Sequence, residues 1–442
     1  MKSDNQATPP SADMTAVEAA QLAAEHGRCH GAPEVPGDRD DTLRRGGSDE
    51  PRGTRTTVSA GAPAPILSEA PRRAVKQAVR RARERRHSTR RVAFFRYSYY
   101  EPAFRFFAER VLNAEFVALP PATRRTVEIG DANSSDFVCS PFKRIVGDYA
   151  EALDRGADVL VQFTGFCRLT YYGELQEMIL HDMGYRDFTM LNFSTVAGKS
   201  LAEYVKFCKR VVNPDLSVPA GAAALVGCYK MAEHLDEFMA YYLSNAAFEV
   251  RRGSFERVRK AFFRAMNTAE NAAEVDAGFK KHMAALQALE LDRPANPVRV
   301  GLTGDYYTVA DAEGNMEVAQ KLIDMGVSVA LDMTISDRNL HYDEPALRAQ
   351  IGEYVKYDMG PTSSFNIAAA KRYAEEGFDG VIHMKAAGCT PEIDVMPVLQ
   401  RLSRDYKMPV LFLTFDSQTS DTGLMTRLEA FYDMISMRKG RA

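Results

Sequence analysis

Short apolar runs alternate with longer stretches of helical apolar spacing from residue 91 to the end of the chain. The runs are rich in Val, Ile, Leu and Phe on both faces, which is typical of buried parallel strands. Strands are predicted over 91–96, 158–164, 187–193, 298–304, 327–333, 379–384 and 409–415. Helices are predicted over 101–113, 146–155, 172–184, 315–325, 344–356, 365–377, 394–405 and 423–437. The alternation predicts an α/β fold of doubly wound parallel-sheet lobes.

Two parts of the chain depart from this alternation. Residues 1–90 have no aromatic residue and no sustained apolar period, so we predict a disordered tail that cannot offset its ordering entropy. Its basic end, PRRAVKQAVRRARERRHSTRR (71–91), fits a solvated tail better than an arm for nucleic acid or an acidic partner. Residues 200–295 show no strand pattern and are predicted to be helical, ending near the two prolines of LDRPANP.

These patterns predict a tail and three further parts. The predicted domains are a basic-ended tail (1–90), a first α/β lobe (91–199), a helical segment (200–295) and a second α/β lobe (296–442). Two facing lobes would form a cleft, and doubly wound sheets bind ligands beyond the carboxyl ends of their strands.

Composition and missing motifs narrow the classes of function. A net charge of −3 argues against nucleic-acid binding, and no stretch is apolar enough for a membrane span or a secretory signal, so we expect a cytoplasmic protein. The stretch NFSTVAGKS resembles a phosphate-binding loop, but Phe193 replaces the first glycine of that motif. We therefore expect that this chain binds no nucleotide itself and that any energy input comes from a partner.

The chain has 6 cysteines, too few and too scattered for a disulfide framework. Cys167 and Cys389 directly follow predicted strands, and Cys139 lies in the loop segment DFVCSPFKR. Loops of this kind let backbone N–H groups approach a sulfur cluster. Nearby cations would favour thiolates: Lys143, Arg144, Arg168 and Lys385. The spacing fits no compact zinc or ferredoxin pattern, so buried structural thiols remain the alternative, and this is the expected role of Cys208 and Cys228.

Several long motifs carry a family resemblance. They are PPATRRTVEIGDANSSDFVC (120–139), CSPFKRIVGDYAEALDRGADVLVQFTGFCRLTYYGELQEMILHDMGY (139–185), HMKAAGCTPE (383–392) and PVLFLTFDSQTSDTGLMTRLEAFYDMI (409–435). Together they resemble the 2-hydroxyacyl-CoA dehydratase component and its activase-associated homologues, over about 91–437. One departure is Ser417, which stands where relatives commonly carry an acidic residue.

The resemblance implies an iron–sulfur cluster ligated by Cys139, Cys167 and Cys389. That cluster is a [4Fe-4S] cubane or, in some relatives, a double cubane. In the dehydratases a separate ATP-dependent activase donates a low-potential electron, which passes to the thioester of a 2-hydroxyacyl-CoA and gives a ketyl radical that expels hydroxide. A homologous subunit or a homodimer is also implied.

Other residues near these motifs are candidates for the pocket. They are Lys143, Arg168, Tyr172, Gln176, His383, Glu392 and Asp416. Their structural alternatives are a solvated helix start for Lys143, aromatic packing for Tyr172, a hydrogen-bonded core residue for His383 and helix-dipole complementarity for Glu392. Two other functions stay open: a non-catalytic electron-transfer or assembly partner of an activase, and a metal-free two-lobed binding protein for small molecules.

Overall fold

The computed structural model describes residues 90–163, 171–192, 201–332, 334–337, 343–357 and 359–440. The predicted disordered tail, apart from residue 90, lies outside these ranges. The strands are β1 (Arg91–Phe94), β2 (Glu115–Phe116), β3 (Val159–Gln162), β4 (Thr189–Asn192), β5 (Arg299–Gly304), β6 (Ser328–Leu331), β7 (Gly380–Ala386) and β8 (Val410–Phe415). Strands occur in all seven predicted ranges, because each range holds a run of mainly apolar residues.

The strands form two separate four-stranded sheets that are parallel throughout. The first has the order β2-β1-β3-β4 and the second β6-β5-β7-β8. Each sheet therefore places its first and third strands side by side in the middle. The predicted α/β fold with two parallel sheets is confirmed.

The helices fill the connections between strands. They are α1 (Glu101–Phe106), α2 (Arg124–Asn133), α3 (Ser140–Asp154), α4 (Tyr172–Asp182), α5 (Leu201–Val211), α6 (Val218–Asn245), α7 (Ser254–Thr268), α8 (Ala272–Gln287), α9 (Tyr306–Ala310), α10 (Val318–Asp324), α11 (Glu344–Ile351), α12 (Pro361–Glu375), α13 (Thr390–Asp405) and α14 (Asp421–Lys439). None of the helices in the described ranges is long and apolar enough to cross a membrane.

Two elements differ from the sequence prediction in ways that affect the site. Helix α3 begins at Ser140, six residues before its predicted start, because Pro141 is compatible with a first helical turn and Cys139 occupies the preceding cap position. Helix α2 was not predicted, since its apolar content is low. It packs on α3, where Gly147 approaches the Thr126 carbonyl too closely to leave room for a Cβ atom.

The helices α5–α8 occupy the segment between the sheets, as the absence of a strand pattern predicted. Phe238 of α6 stacks on Phe262 of α7 with 4.0 Å between ring centroids, and both side chains are fully buried. One continuous apolar core runs through this segment, the first sheet and the neighbouring side of the second sheet. A smaller core covers the other side of the second sheet.

Aromatic side chains connect the two sheets directly. The Tyr97 hydroxyl, beyond the end of β1, donates a 2.9 Å hydrogen bond to the carbonyl of Tyr306, beyond the end of β5. The two rings stack with centroids 5.2 Å apart, and Phe95 lies 6.1 Å from Tyr307. The carboxyl ends of the central strands of both sheets therefore meet at one junction.

A buried carboxylate ties three parts of the chain together. Asp236 of α6 accepts hydrogen bonds from the hydroxyls of Tyr99 and Tyr100, which follow β1. It also accepts from the backbone N–H and the hydroxyl of Ser336, which follows β6. Burial raises the pKa of Asp236, and these hydrogen bonds oppose the rise.

Replacing Asp236 by alanine should strongly destabilise the protein. The variant leaves several buried donors without an acceptor, so we expect the free energy of unfolding to fall by about 3 kcal/mol. Denaturant unfolding followed by circular dichroism measures the change. The control, Asp433→Ala on the exposed face of α14, should stay within about 0.5 kcal/mol of the parent. An equally small effect of both substitutions would contradict the assigned role of Asp236.

Candidate functional site

Two of the three candidate cysteines occupy equivalent positions at the start of a helix. Cys139 is the residue before α3, Cys389 is the residue before α13, and each helix carries a proline in its first turn. The first turn of a helix offers unpaired backbone N–H groups and the positive end of the helix dipole. The backbone N–H of Glu392 acts to lower the pKa of the Cys389 thiol, against the larger opposing effects described below. Both thiols therefore lie where the backbone favours negatively charged sulfur.

The turn before α13 brings the second lobe against the Cys139 segment. Gly388 has a left-handed backbone (φ +78°), and a Cβ atom built on it would lie 3.5 Å from the Cys139 Cα. The glycine is required by its backbone angle, while the space beside it is ordinary contact distance. The Ser140 hydroxyl donates a 3.1 Å hydrogen bond to the carbonyl of Phe415 at the end of β8. Cys139 is thus positioned against the carboxyl ends of β7 and β8.

Tyr172, a predicted pocket residue, contacts the first cysteine. Its hydroxyl lies 2.7 Å from the Cys139 sulfur, and either atom can be the donor. Its ring meets Phe142 edge-on at 5.0 Å, which fixes the direction of the hydroxyl. Cys167 and Arg168 lie outside the described residues, in the segment 164–170 between β3 and Tyr171.

The charges around Cys389 are the reverse of those expected from the sequence. Burial chiefly raises the pKa of its thiol, and the nearby carboxyl groups of Asp305 and Glu392 raise it further. Cys139 also makes a smaller contribution to this rise. Two of the expected cations are engaged elsewhere: Lys143 lies 3.5 Å from Asp131, and Arg144 pairs with Asp311 and Glu313.

A fully buried polar network lies behind Cys389. The Nε2 atom of His383 on β7 lies 3.2 Å from the Oε2 atom of Glu392 on α13, and neither side chain is exposed. The Nδ1 atom of His383 lies 3.2 Å from the Thr303 hydroxyl, and Asn366 donates a 2.8 Å hydrogen bond to Glu392. Both ring nitrogens of His383 therefore face other partners and not a thiol. Glu392 lies in the first turn of α13, as the sequence indicated, and its side chain also faces the buried ring of His383.

Asp305 holds the start of the Cys389 turn and was missed from the sequence. Its Oδ2 atom accepts a 2.6 Å hydrogen bond from the Ala386 N–H at the end of β7, and its Oδ1 atom accepts one from Thr308. Burial, together with the charge of Glu392, raises the pKa of Asp305 to about 6. A sequence signal existed, since Asp305 directly follows the strand VRVGLTG, as Asp416 follows PVLFLTF.

The remaining predicted residues lie further from the thiols. Gln176 is fully buried, accepts a 2.6 Å hydrogen bond from Gln162 and so ties α4 to β3 inside the first lobe. The Asp416 carboxylate accepts from the Gln418 N–H and the Thr419 hydroxyl within its own turn. A small cavity of about 70 Å³ brings Asp416 and Lys143 together beside Ser140, next to the first cysteine.

The described residues supply two of the three predicted cluster ligands. Within these residues, no group of three His, Cys, Asp or Glu side chains is arranged to hold a metal ion. The third predicted ligand, Cys167, belongs to the segment between β3 and α4 that the structure does not describe. The positions of Cys139 and Cys389 fit a group held by thiolates, because both thiols lie at helix starts and face the same junction.

In a comparison with sequence families, the family described as 2-hydroxyglutaryl-CoA dehydratase, D-component, matches residues 257–435 of this chain. Over these residues the chain is similar to the 2-hydroxyacyl-CoA dehydratase component family. The match confirms the predicted family resemblance over α7–α8, the second sheet and Cys389, while Cys139 and Cys167 precede it. No curated protein matches the chain.

A thiol-bridging reagent tests whether Cys139 and Cys389 lie side by side. We expect a Cys167→Ser chain to capture phenylarsine oxide, because a trivalent arsenical bridges two neighbouring thiols. Mass spectrometry of the intact protein detects the adduct. Capture should be lost on replacing either Cys139 or Cys389 by serine.

The matched control is Cys228→Ser in the same background. Cys228 lies on α6, where its thiol donates to the Ala103 carbonyl at 3.7 Å, so its loss should leave capture unchanged. Capture that persists without Cys139 or Cys389 would show that the two thiols are not neighbours.

Proposed function

We propose that this chain is the cluster-bearing component of a 2-hydroxyacyl-CoA dehydratase-type enzyme. Cys139, Cys167 and Cys389 would hold an iron–sulfur cluster, a single [4Fe-4S] cubane or a double cubane. When bound, the cluster would supply one-electron chemistry toward a 2-hydroxyacyl-CoA or a related low-potential reduction. The observation that carries this proposal is the meeting of Cys139 and Cys389 at two helix starts from different lobes.

The electrostatics of Cys389 support a cationic ligand. A thiol whose pKa is raised by burial and by two carboxyl groups stays protonated when no positive charge is near. A bound cation supplies that charge and deprotonates a coordinating thiol outright.

The buried network supports a positioning role for this chain's own residues. Asp305 holds the backbone where the Cys389 turn begins, and the pair of His383 and Glu392 fixes α13 on β7. Tyr172 would orient the Cys139 sulfur through its hydroxyl. Rigid support of ligands in this way is typical of metal centres.

The proposed partners rest on two observations. The sequence carries no complete phosphate-binding loop, and the chain resembles the 2-hydroxyacyl-CoA dehydratase component family. We propose an ATP-dependent activase as the electron donor and a homologous subunit or second copy as the assembly partner. Lys143, Arg168 and Asp416 would line the approach of an acyl-CoA substrate, whereas Gln176 would act only through the packing of α4 on β3. We propose the domain bounds 91–199, 200–295 and 296–442, with the tail at 1–90.

Iron and sulfide content tests the proposal directly. Protein purified without oxygen and reconstituted with ferrous iron and sulfide should show both elements and a cluster absorption band. Cys139→Ser, Cys167→Ser and Cys389→Ser should each reduce both contents toward background, because each removes one proposed ligand. Cys208→Ser and Cys228→Ser should retain the parent content. A parent protein without iron, or ligand variants that keep it, would refute the proposal.

The reduced cluster distinguishes an enzyme from an electron carrier. After reduction by an activase with ATP, a 2-hydroxyacyl-CoA should change the electron paramagnetic resonance spectrum of the parent protein. An unchanged spectrum from an intact, reduced cluster would favour the non-catalytic electron-transfer role. A stable fold with no iron would favour the metal-free binding protein.

A further inference from the structure

A large cavity lies at the other end of the junction between the two sheets. Its volume is about 520 Å³, within the range of small-molecule sites. The carboxyl end of β1, helices α6 and α7, and residues 309–323 of the second lobe contribute its walls. It shares no lining residue with the cysteine pair or with the small cavity beside Ser140. The cavity is therefore a separate candidate site.

Aromatic side chains form one part of the walls of this cavity. Eight Phe and Tyr side chains line it, including the stacked pair Phe94 and Phe104, whose centroids are 4.7 Å apart. Some of these rings already carry a cation over their faces. The Arg259 guanidinium lies 5.7 Å from the centroids of both Tyr242 and Phe263, and that of Arg105 lies 4.8 Å from Phe116. Aromatic faces attract cations, so these walls suit a flat or positively charged ligand.

The two guanidinium groups that line the cavity are already neutralised. Arg96 pairs with the carboxylates of Asp148 and Glu151. Arg259 makes two hydrogen bonds to Glu256, at 2.5 and 2.8 Å. An anionic ligand would have to compete with these internal carboxylates, which disfavours its binding.

Carboxylates and an unpaired acceptor dominate the remaining polar lining. The acidic side chains are Glu101, Asp311, Glu313 and Glu317. Glu101 lies 3.5 Å from Arg105, and Asp311 and Glu313 share Arg144. Glu317 is exposed, and no cation of the described residues forms an ion pair with it, so its charge remains available to a ligand. The Oδ1 atom of Asn267 is buried and has no donor within the described residues. The site therefore offers aromatic faces and acceptors, and it requires donors.

We propose that this cavity binds a small aromatic amine, with its ring against the aromatic walls and its ammonium group beside the carboxylates. The ammonium group supplies both the missing donors and the positive charge that the lining favours. This site is independent of the cluster chemistry, since it neither contains a cysteine nor touches the Cys389 turn.

A fluorescence titration with tryptamine tests this site. The chain contains no tryptophan, so an indole probe can be excited apart from the protein's tyrosines. We expect saturable binding of tryptamine. Indole-3-acetate, with the same ring and the opposite charge, should bind at least about tenfold more weakly, the size of one lost cation contact. The affinity of uncharged indole should lie between those of tryptamine and indole-3-acetate.

Two variants separate the contribution of the ligand's charge to the binding affinity from that of its aromatic ring. Glu317→Gln should weaken tryptamine several-fold and leave indole unchanged, while Phe263→Ala should weaken both probes. The matched control, Glu429→Gln on the exposed face of α14, should bind like the parent. A Cys389→Ser chain should also bind tryptamine like the parent. Equal affinity for tryptamine and indole-3-acetate, or no effect of Glu317→Gln, would overturn the proposal.

Discussion

The close approach of the Gly388 turn to the Cys139 backbone is the constraint on which the rest of the candidate site depends. It requires a left-handed residue at position 388 and two parallel sheets whose carboxyl ends face each other. The stacked Tyr97 and Tyr306 hold the neighbouring strand ends together, and Asp236 ties the helical segment to both. Because these contacts are buried and hydrogen-bonded, the two lobes meet in a defined arrangement.

The shared order of the two sheets explains where the cysteines fall. In each sheet the third strand lies beside the first, and in such sheets ligands bind where the strand order reverses. Cys389 follows the third strand of the second sheet directly, and Cys167 lies in the connection after the third strand of the first. Cys139 begins the helix that leads into that same strand. All three positions therefore belong to connections at the central strands.

Much of the fold was predictable because each buried strand is a continuous apolar run. The two-residue strand β2 carries no such signal, and the early start of α3 depends on a serine and a proline in CSPFKR. Cys167 and Cys389 stood out because they follow predicted strands, whereas the set of three with Cys139 came from the family resemblance. The network behind them was not, since the pairing of His383 with Glu392 requires β7 and α13 to pack together. Asp305 likewise gains its role only from the neighbouring β7 backbone.

Charge distinguishes the two ends of the junction. At the cysteine end, burial and then the neighbouring carboxyl groups raise the pKa of Cys389, so positive charge from a bound metal would be needed to stabilise its thiolate. The most direct test of the proposed cluster is X-ray diffraction at the iron absorption edge, from crystals grown without oxygen. Our account predicts anomalous density for iron in contact with the sulfur atoms of Cys139, Cys167 and Cys389. Anomalous density elsewhere, or protonated cysteines in a junction without iron, would contradict it.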